Sequence, residues 1–242
     1  MFHVAGIAHA DTGHASAEEQ ENYYRVNTDL AIETARKAKD AGVRQLVFMS
    51  SMIIYGSQEC IDEHTLPQPE NFYGNSKWLA DRGIRELETD TFAAAVLRCP
   101  MIYGKGSKGN FPVLAKLART VPVFPKVNNK RSILYVENLC EFVAQIVLSG
   151  EGGVFFPQNG EYSNTGKLVK LIGEASGRKV RLSRMLLPPV TAAMHIPIGK
   201  VKNMASKAFG SSYYEMGLSQ YEGMDYQKVG VKESIVRAEA TP

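Results

Sequence analysis

The sequence predicts an α/β fold built on a doubly wound parallel sheet. Three observations carry the prediction. Residues 45–50 and 92–98 are continuous apolar runs without the polar alternation of a half-solvated strand, the pattern of strands covered on both faces. Residues 21–41 and 73–87 place apolar side chains at helical spacing. Strand, helix, strand, helix and strand then follow one another, which is the order a parallel sheet with crossover helices needs.

Each element has its own signal. Residues 2–6, Phe-His-Val-Ala-Gly, read as a short buried strand running into a small-residue turn. Residues 7–20 are polar and loop-like. In the helix that follows, Val26, Leu30, Ala31, Thr34, Ala35 and Ala38 share a face, and Gly42 is a natural stop. Residues 45–50 end in Ser50-Ser51, and a Pro-rich loop leads to a helix from Tyr73. The strand at 92–98 ends at Cys99-Pro100. A Gly/Lys loop spans 103–109 and a helix spans 111–119. A strand at 131–136, a helix at 137–148, a strand at 153–156 and an amphipathic helix at 165–175 complete the patterned part. Prolines 188, 189 and 197 precede a helix expected near 198–208, and the last thirty residues are weakly patterned.

Composition bounds the class. At 242 residues, with 44% apolar and 22% charged residues, the chain can bury one domain plus a small lobe. No apolar run approaches the roughly 18 residues that span a bilayer. No signal-type pattern opens the sequence. Three scattered cysteines, Cys60, Cys99 and Cys140, show no CxxC spacing, so a reduced cytoplasmic protein is expected, without a disulfide framework or zinc site. His3, His9 and His14 are not read as completing a ligand set, so no metal is expected. Residues 1–100 carry 9 Lys/Arg against 15 Asp/Glu, and residues 101–242 carry 19 against 10. The basic second half reads either as an ordinary solvated face or as an attractor of a small anion. Nucleic acid and membrane partners are not expected.

The reactive candidates are Ser51, Tyr73 and Lys77. Four residues along a helix rise about 6 Å and return to one face, so Tyr73 and Lys77 point together. Ser51, at a strand end, is placed to meet them. The pair alone is weak: 11 tyrosines and sixteen lysines give about 0.7 such spacings by chance, and Tyr73/Lys77 is the only one present. Taken alone, Tyr73 reads better as a half-buried boundary residue at a helix start; the ordered motifs below favour catalysis. A phenol titrates near pH 10, and a neighbouring ammonium is expected to lower that value and make Tyr73 a general base.

Taken in order, several stretches together resemble the extended short-chain dehydrogenases, that is, the NAD-dependent epimerase/dehydratase family typified by UDP-glucose 4-epimerases. They are residues 2–6, the Tyr24–Thr28 segment with Asn27, Ser50-Ser51 followed by Tyr55-Gly56, Tyr73-Gly-Asn-Ser-Lys77, Leu97-Arg-Cys-Pro-Met-Ile-Tyr-Gly104 and Arg131–Val136. The resemblance covers residues 1–175 well and the tail weakly. It implies a Rossmann-like domain over residues 1–110, entered at the family's fourth strand, and a C-terminal substrate-binding lobe over 111–242, with 131–160 returning to the core. It also exposes a departure. The family's strand–GxxGxxG–helix, whose backbone cradles the cofactor pyrophosphate, has no counterpart here, as if roughly 60 residues were absent. The loop at 104–109 lies too late to replace it.

The resemblance implies roles as well. Ser51, Tyr73 and Lys77 would be catalytic. Ala5, Gly6, Asn27, Ser50, Tyr73, Lys77 and Pro100 would meet NAD, with NADP left open. Ser51, Cys99 and Arg131 would meet a nucleotide-sugar, Arg131 at its pyrophosphate. For Arg131 the competing reading is a solvated member of the basic run 126–131. For Asn27 it is an ordinary helix-face residue, and for Ser51 it is a strand-end hydroxyl, with Ser50 as the rival candidate. Nucleotide-sugar dehydratases carry Asp-Glu after the serine to eliminate water. Met52 and Ile53 stand there, which disfavours dehydration. The expected activity is 4-epimerisation of a UDP-hexose through a keto-sugar. The alternatives are reduction of a keto-sugar or other carbonyl, and a fragment without activity. Family members often pair as homodimers.

Overall fold

A computed structural model describes residues 1–8, 15–195, 206 and 208–240. His9, His14 and most of the helix expected near 198–208 lie outside the described residues. The elements in chain order are β1 (Phe2–His3), α1 (Ala17–Tyr24), α2 (Leu30–Asp40), β2 (Gln45–Ser51), β3 (Cys60–Ile61), α3 (Phe72–Arg85), β4 (Ala93–Cys99), β5 (Met101–Tyr103), α4 (Asn110–Thr120) and β6 (Val123–Pro125). They continue with β7 (Ile133–Tyr135), α5 (Val136–Ser149), β8 (Gly153–Phe155), α6 (Thr165–Ala175), β9 (Arg181–Ser183), α7 (Leu187–His195), β10 (Tyr213–Tyr214) and α8 (Val231–Glu239).

The central sheet has the order β1-β2-β4-β8, with every pair parallel. Successive side chains of a strand point to opposite faces, and both faces are covered. Leu46, Phe48, Ala94 and Val96 pack with Ala31, Ala35, Ala80 and Ile84, so α2 and α3 cover one side. Val47, Ala95 and Leu97 pack with Leu139, Phe142 and Ile146, so α5 covers the other. This is the doubly wound arrangement the apolar runs at 45–50 and 92–98 call for. β2 and β4 are in register from Gln45↔Ala93 to Ser51↔Cys99, so Ser51 and Cys99 end side by side.

A second core joins Tyr103, Phe111, Ala115, Ile133, Leu168, Ile172, Val231 and Ile235. It unites α4, α6, α8 and the β5–β7 pair. The α8 helix escaped the sequence reading because its apolar positions, Val231, Ile235 and Ala238, are few and set among charges. β8 and α5 return to the central sheet. The strand expected at 2–6 is shorter and less buried than its composition implies. His3 is buried, but Phe2 is 43% and Val4 64% exposed, because β1 is the edge of the sheet. The strand expected at 131–136 shortens to β7; Arg131 makes single bridges to Ser163 and Ser212 instead.

The helix expected over 21–41 begins earlier. Ser16 caps α1, with Glu19 closing the capping box. Between α1 and α2 the chain takes a π-helical turn, Arg25–Asp29. Such turns rotate side chains out of the α-helical register, and this one turns Asn27 and Thr28 into the core.

Candidate active site

The carboxyl ends of β1, β2 and β4 converge on one edge of the sheet, where open α/β folds bind ligands. Ser51 ends β2 and its Oγ accepts from Ile53 N at 3.3 Å, capping a 3-10 turn, Met52–Tyr55. Asn71 caps α3, accepting from Gly74 N at 2.9 Å. This fixes the first turn of the helix that carries both Tyr73 and Lys77. The Ser51 hydroxyl lies near enough to the Tyr73 phenol to favour its charged form. The ring packs edge-on against Tyr23, with centroids 5.8 Å apart.

Lys77 is 8% exposed. Its Nζ donates to Met49 O at 3.1 Å and lies 5.3 Å from the Phe48 ring centroid. Burial disfavours the ammonium and brings its pKa from 10.5 down to about 8. Burial also pushes the Tyr73 phenol up, opposed in part by the nearby Ser51 hydroxyl. The expected lowering of Tyr73 by Lys77 is therefore corrected. The ammonium faces the β2 backbone, and Tyr73 stands as a neutral, proton-bearing phenol.

Ala5 and Gly6 leave β1 at this edge, both exposed. A Cβ added at Gly6 would lie 3.1 Å from both Lys77 Nζ and Asn27 Oδ1. The Lys77 ammonium has three N–H groups, of which Met49 O takes one. An exposed glycine without a Cβ beside a buried ammonium fits the ribose end of a dinucleotide, with Lys77, Tyr73, Ala5 and Gly6 as the residues that would hold it. No glycine-rich turn from the central sheet into a helix lies among the described residues. Gly109, with φ 86°, leads directly into α4. The loop before it leaves β5, however, which pairs with β7 outside the central sheet.

Three expected contacts are corrected. Asn27 is fully buried and every polar hydrogen of its amide is engaged: Nδ2 donates to Ile7 O at 3.0 Å and Ser76 Oγ at 3.2 Å, while Oδ1 accepts from Ile7 N at 2.7 Å. It clamps the end of β1 onto α3 and has no donor left for a cofactor. Ser50 points to the face opposite Ser51 and donates to Asp81 Oδ2 at 2.8 Å. Cys99 is 2% exposed within the α5-side core, and burial pushes its thiol up to about 12. It therefore offers no sulfur to a substrate. Pro100, next in the chain, is also buried. Cys60, Cys99 and Cys140 are all free thiols.

Arg131 is partly buried, and burial pulls its guanidinium below the ordinary value. Its bridge partner Ser212 sets Oγ 3.3 Å from Met52 Sδ, the residue after Ser51. The second core thus delivers Arg131 to the neighbourhood of the β2 end.

A buried polar network behind the site was not foreseen. Arg98 donates to Asp81 through Nε and Nη2, both at 2.9 Å, and through Nη1 to Tyr55 Oη at 2.6 Å. Arg85 Nε reaches Asp81 Oδ1 at 3.1 Å. Tyr214 donates to Arg98 O at 2.8 Å. Asp81 is one turn beyond Lys77 on α3, and a charge on the apolar face of that helix, with an arginine inside the run Ala-Ala-Ala-Val-Leu-Arg, was the available signal.

A parallel doubly wound sheet with serine, tyrosine and lysine at its carboxyl edge defines a short-chain-dehydrogenase type of protein. Residues 1–155 match the NAD dependent epimerase/dehydratase family, and the chain belongs to it. The chain is 28% identical over 183 residues to UDP-glucose 4-epimerase of Vibrio cholerae, covering 70% of this chain and 55% of that one. It spans about half the length of such relatives. In fold it is similar to the Thermus thermophilus UDP-glucose 4-epimerase complex with NAD, with TM-score 0.72, 21% identity, and coverage of 98% and 75%. It is also similar to dTDP-4-dehydrorhamnose reductase from Bacillus anthracis in complex with NADP, with TM-score 0.63, 22% identity, and coverage of 75% and 63%.

Proposed function

We propose that this chain carries the catalytic half of an NAD(P)-dependent nucleotide-sugar 4-epimerase acting on a UDP-hexose. The observation that carries the reading is Ser51 at the carboxyl end of β2 beside Tyr73, which stands one turn from the buried Lys77 on the same helix. When bound, NAD(P) supplies a hydride acceptor that also returns hydride. The chain's own residues handle the proton and the oxygen. Ser51 Oγ holds the reacting sugar oxygen by a hydrogen bond and steadies the developing carbonyl. Tyr73 Oη exchanges the proton with that oxygen. Base catalysis at Tyr73 requires the phenol to lose its proton, which a cation beside it favours. A turn of the ammonium away from Met49 O supplies one and frees N–H donors for ribose hydroxyls.

Arg131 is assigned to the substrate pyrophosphate, since guanidinium suits bidentate phosphate contacts. The second core is assigned as the substrate lobe. Met52 and Ile53 offer no carboxylate to move the protons of a dehydration, which keeps that reaction outside the proposal.

One observation favours a second reading. Tyr73 is held protonated by burial, which suits proton donation to a carbonyl oxygen, the direction of a keto-sugar reductase. Two measurements separate the readings. Interconversion of UDP-glucose and UDP-galactose without net NAD(P)H consumption supports epimerisation. Stoichiometric NAD(P)H oxidation on a 4-keto-sugar supports reduction. Neither activity, with no copurifying NAD(H) and no affinity for added NAD⁺, would assign the chain as an inactive fragment.

A further inference from the structure

Residues 175–214 hold seven lysines and arginines and no Asp or Glu, so they account for most of the positive excess of the second half. Within the described part of this stretch, Arg178, Lys179, Arg181 and Arg184 are all exposed, and among the described residues none of them is in an ion pair. Between these cations and α7 sit Met185, 88% exposed, and Leu186, 36% exposed. The presentation is built. β9 is paired with β6 from Val123↔Arg181 to Pro125↔Ser183, and Leu182 packs on the second core. Ser183 Oγ then accepts from Met185 N at 3.2 Å and closes a 3-10 turn, Arg184–Leu186, which points Met185 into solvent.

We propose, against the sequence expectation of no membrane partner, that this turn and the start of α7 dock on an anionic lipid surface. Two demands select that occupant. The cations call for a polyanion, and the exposed thioether and leucine call for hydrocarbon within about 10 Å of it. A bilayer containing acidic headgroups supplies both. A nucleic acid supplies only the first, and nothing aromatic stands among these cations to stack on bases. No helix among the described residues is long and apolar enough to cross a membrane; docking at the interface needs no such helix. The inference does not depend on which sugar chemistry the reactive site performs.

The test is pelleting of the purified chain with sucrose-loaded vesicles of phosphatidylcholine alone and of equimolar phosphatidylcholine and phosphatidylglycerol. Binding to the acidic vesicles is expected to exceed binding to the neutral ones by about tenfold, and to weaken as salt is added. Arg181→Ser with Arg184→Ser is expected to lower it by roughly tenfold. Met185→Ser with Leu186→Ser is expected to lower it by a similar factor. All four side chains are exposed, so thermal unfolding should match the parent chain. As a second readout, Met185→Trp in a Trp78→Phe background should shift its emission to the blue only with acidic vesicles. Equal binding to both vesicle types, or variants that bind as the parent does, would overturn the proposal. So would self-association that Met185→Ser with Leu186→Ser abolishes while no vesicle binding occurs, which assigns the face to a second copy of the chain. Sugar turnover is not read, so failure here leaves the epimerase reading standing or falling on its own assay.

Discussion

Asp81 and Arg98 form a bidentate ion pair directly behind the reactive strand end, with both N···O distances 2.9 Å and the carboxylate fully buried. Ser50, Tyr55 and Arg85 complete it. The pair ties α3, which carries Tyr73 and Lys77, to β2, which carries Ser51, and to β4. Removing one partner leaves a buried charge uncompensated. Asp81→Ala is predicted to cost about 3–5 kcal/mol of unfolding free energy, measured by urea titration. Replacing Asp81 and Arg98 together by leucine and methionine should cost clearly less than the sum of the single changes. Additive losses would mean that the pair does not act as a unit.

Lys77 sets a pH signature. Its folded pKa, about 8, lies below the ordinary 10.5. Between those values the unfolded chain holds the proton and the folded chain does not, so stability rises with pH across that window. The cost of the buried ammonium is fully present below pH 8 and amounts to about 3 kcal/mol. Lys77→Met should therefore unfold at higher urea than the parent at pH 7 and lose the rise above pH 8. A variant no more stable, with the rise intact, would show that the ammonium is not the titrating group.

Gly6 tests the dinucleotide edge. A Cβ there meets Lys77 Nζ and Asn27 Oδ1, each at 3.1 Å, and both must shift by a few tenths of an ångström. Gly6→Ala is predicted to weaken NAD⁺ affinity by about tenfold, with little change in UDP affinity, as read by calorimetry. Loss of both affinities in parallel would point to a collapsed edge instead.

Arg131 tests the other end of the substrate. Arg131→Ala is predicted to weaken UDP-sugar binding by about 1.5–3 kcal/mol, the worth of a charge-assisted hydrogen bond, while leaving NAD⁺ affinity alone. An unchanged UDP-sugar affinity would leave Arg131 a structural residue beside β7 rather than a substrate contact.

The sheet was legible because burial on both faces writes itself as continuous apolar runs, and residues 45–50 and 92–98 are such runs. Ser51, Tyr73 and Lys77 were legible because strand end and helix spacing are local properties. The orientation of Lys77 toward Met49 O was not, since spacing places a side chain on a face without saying which acceptor it meets. Asn27 and Ser50 were misread for one reason: a polar side chain in a site-like stretch can be wholly committed to the scaffold. The partners that commit them, Ile7, Ser76 and Asp81, are 20, 49 and 31 residues away. Cys99 was misread because the end of a buried strand is itself buried under α5.

The most direct measurement is interconversion of UDP-glucose and UDP-galactose by the parent chain and by Tyr73→Phe, each supplied with NAD⁺ and each titrated with UDP-glucose. With Tyr73 as the proton-exchanging group, the parent interconverts the two sugars and Tyr73→Phe loses turnover by about 10²-fold or more while binding UDP-glucose as before. Near-normal turnover in Tyr73→Phe would contradict that assignment.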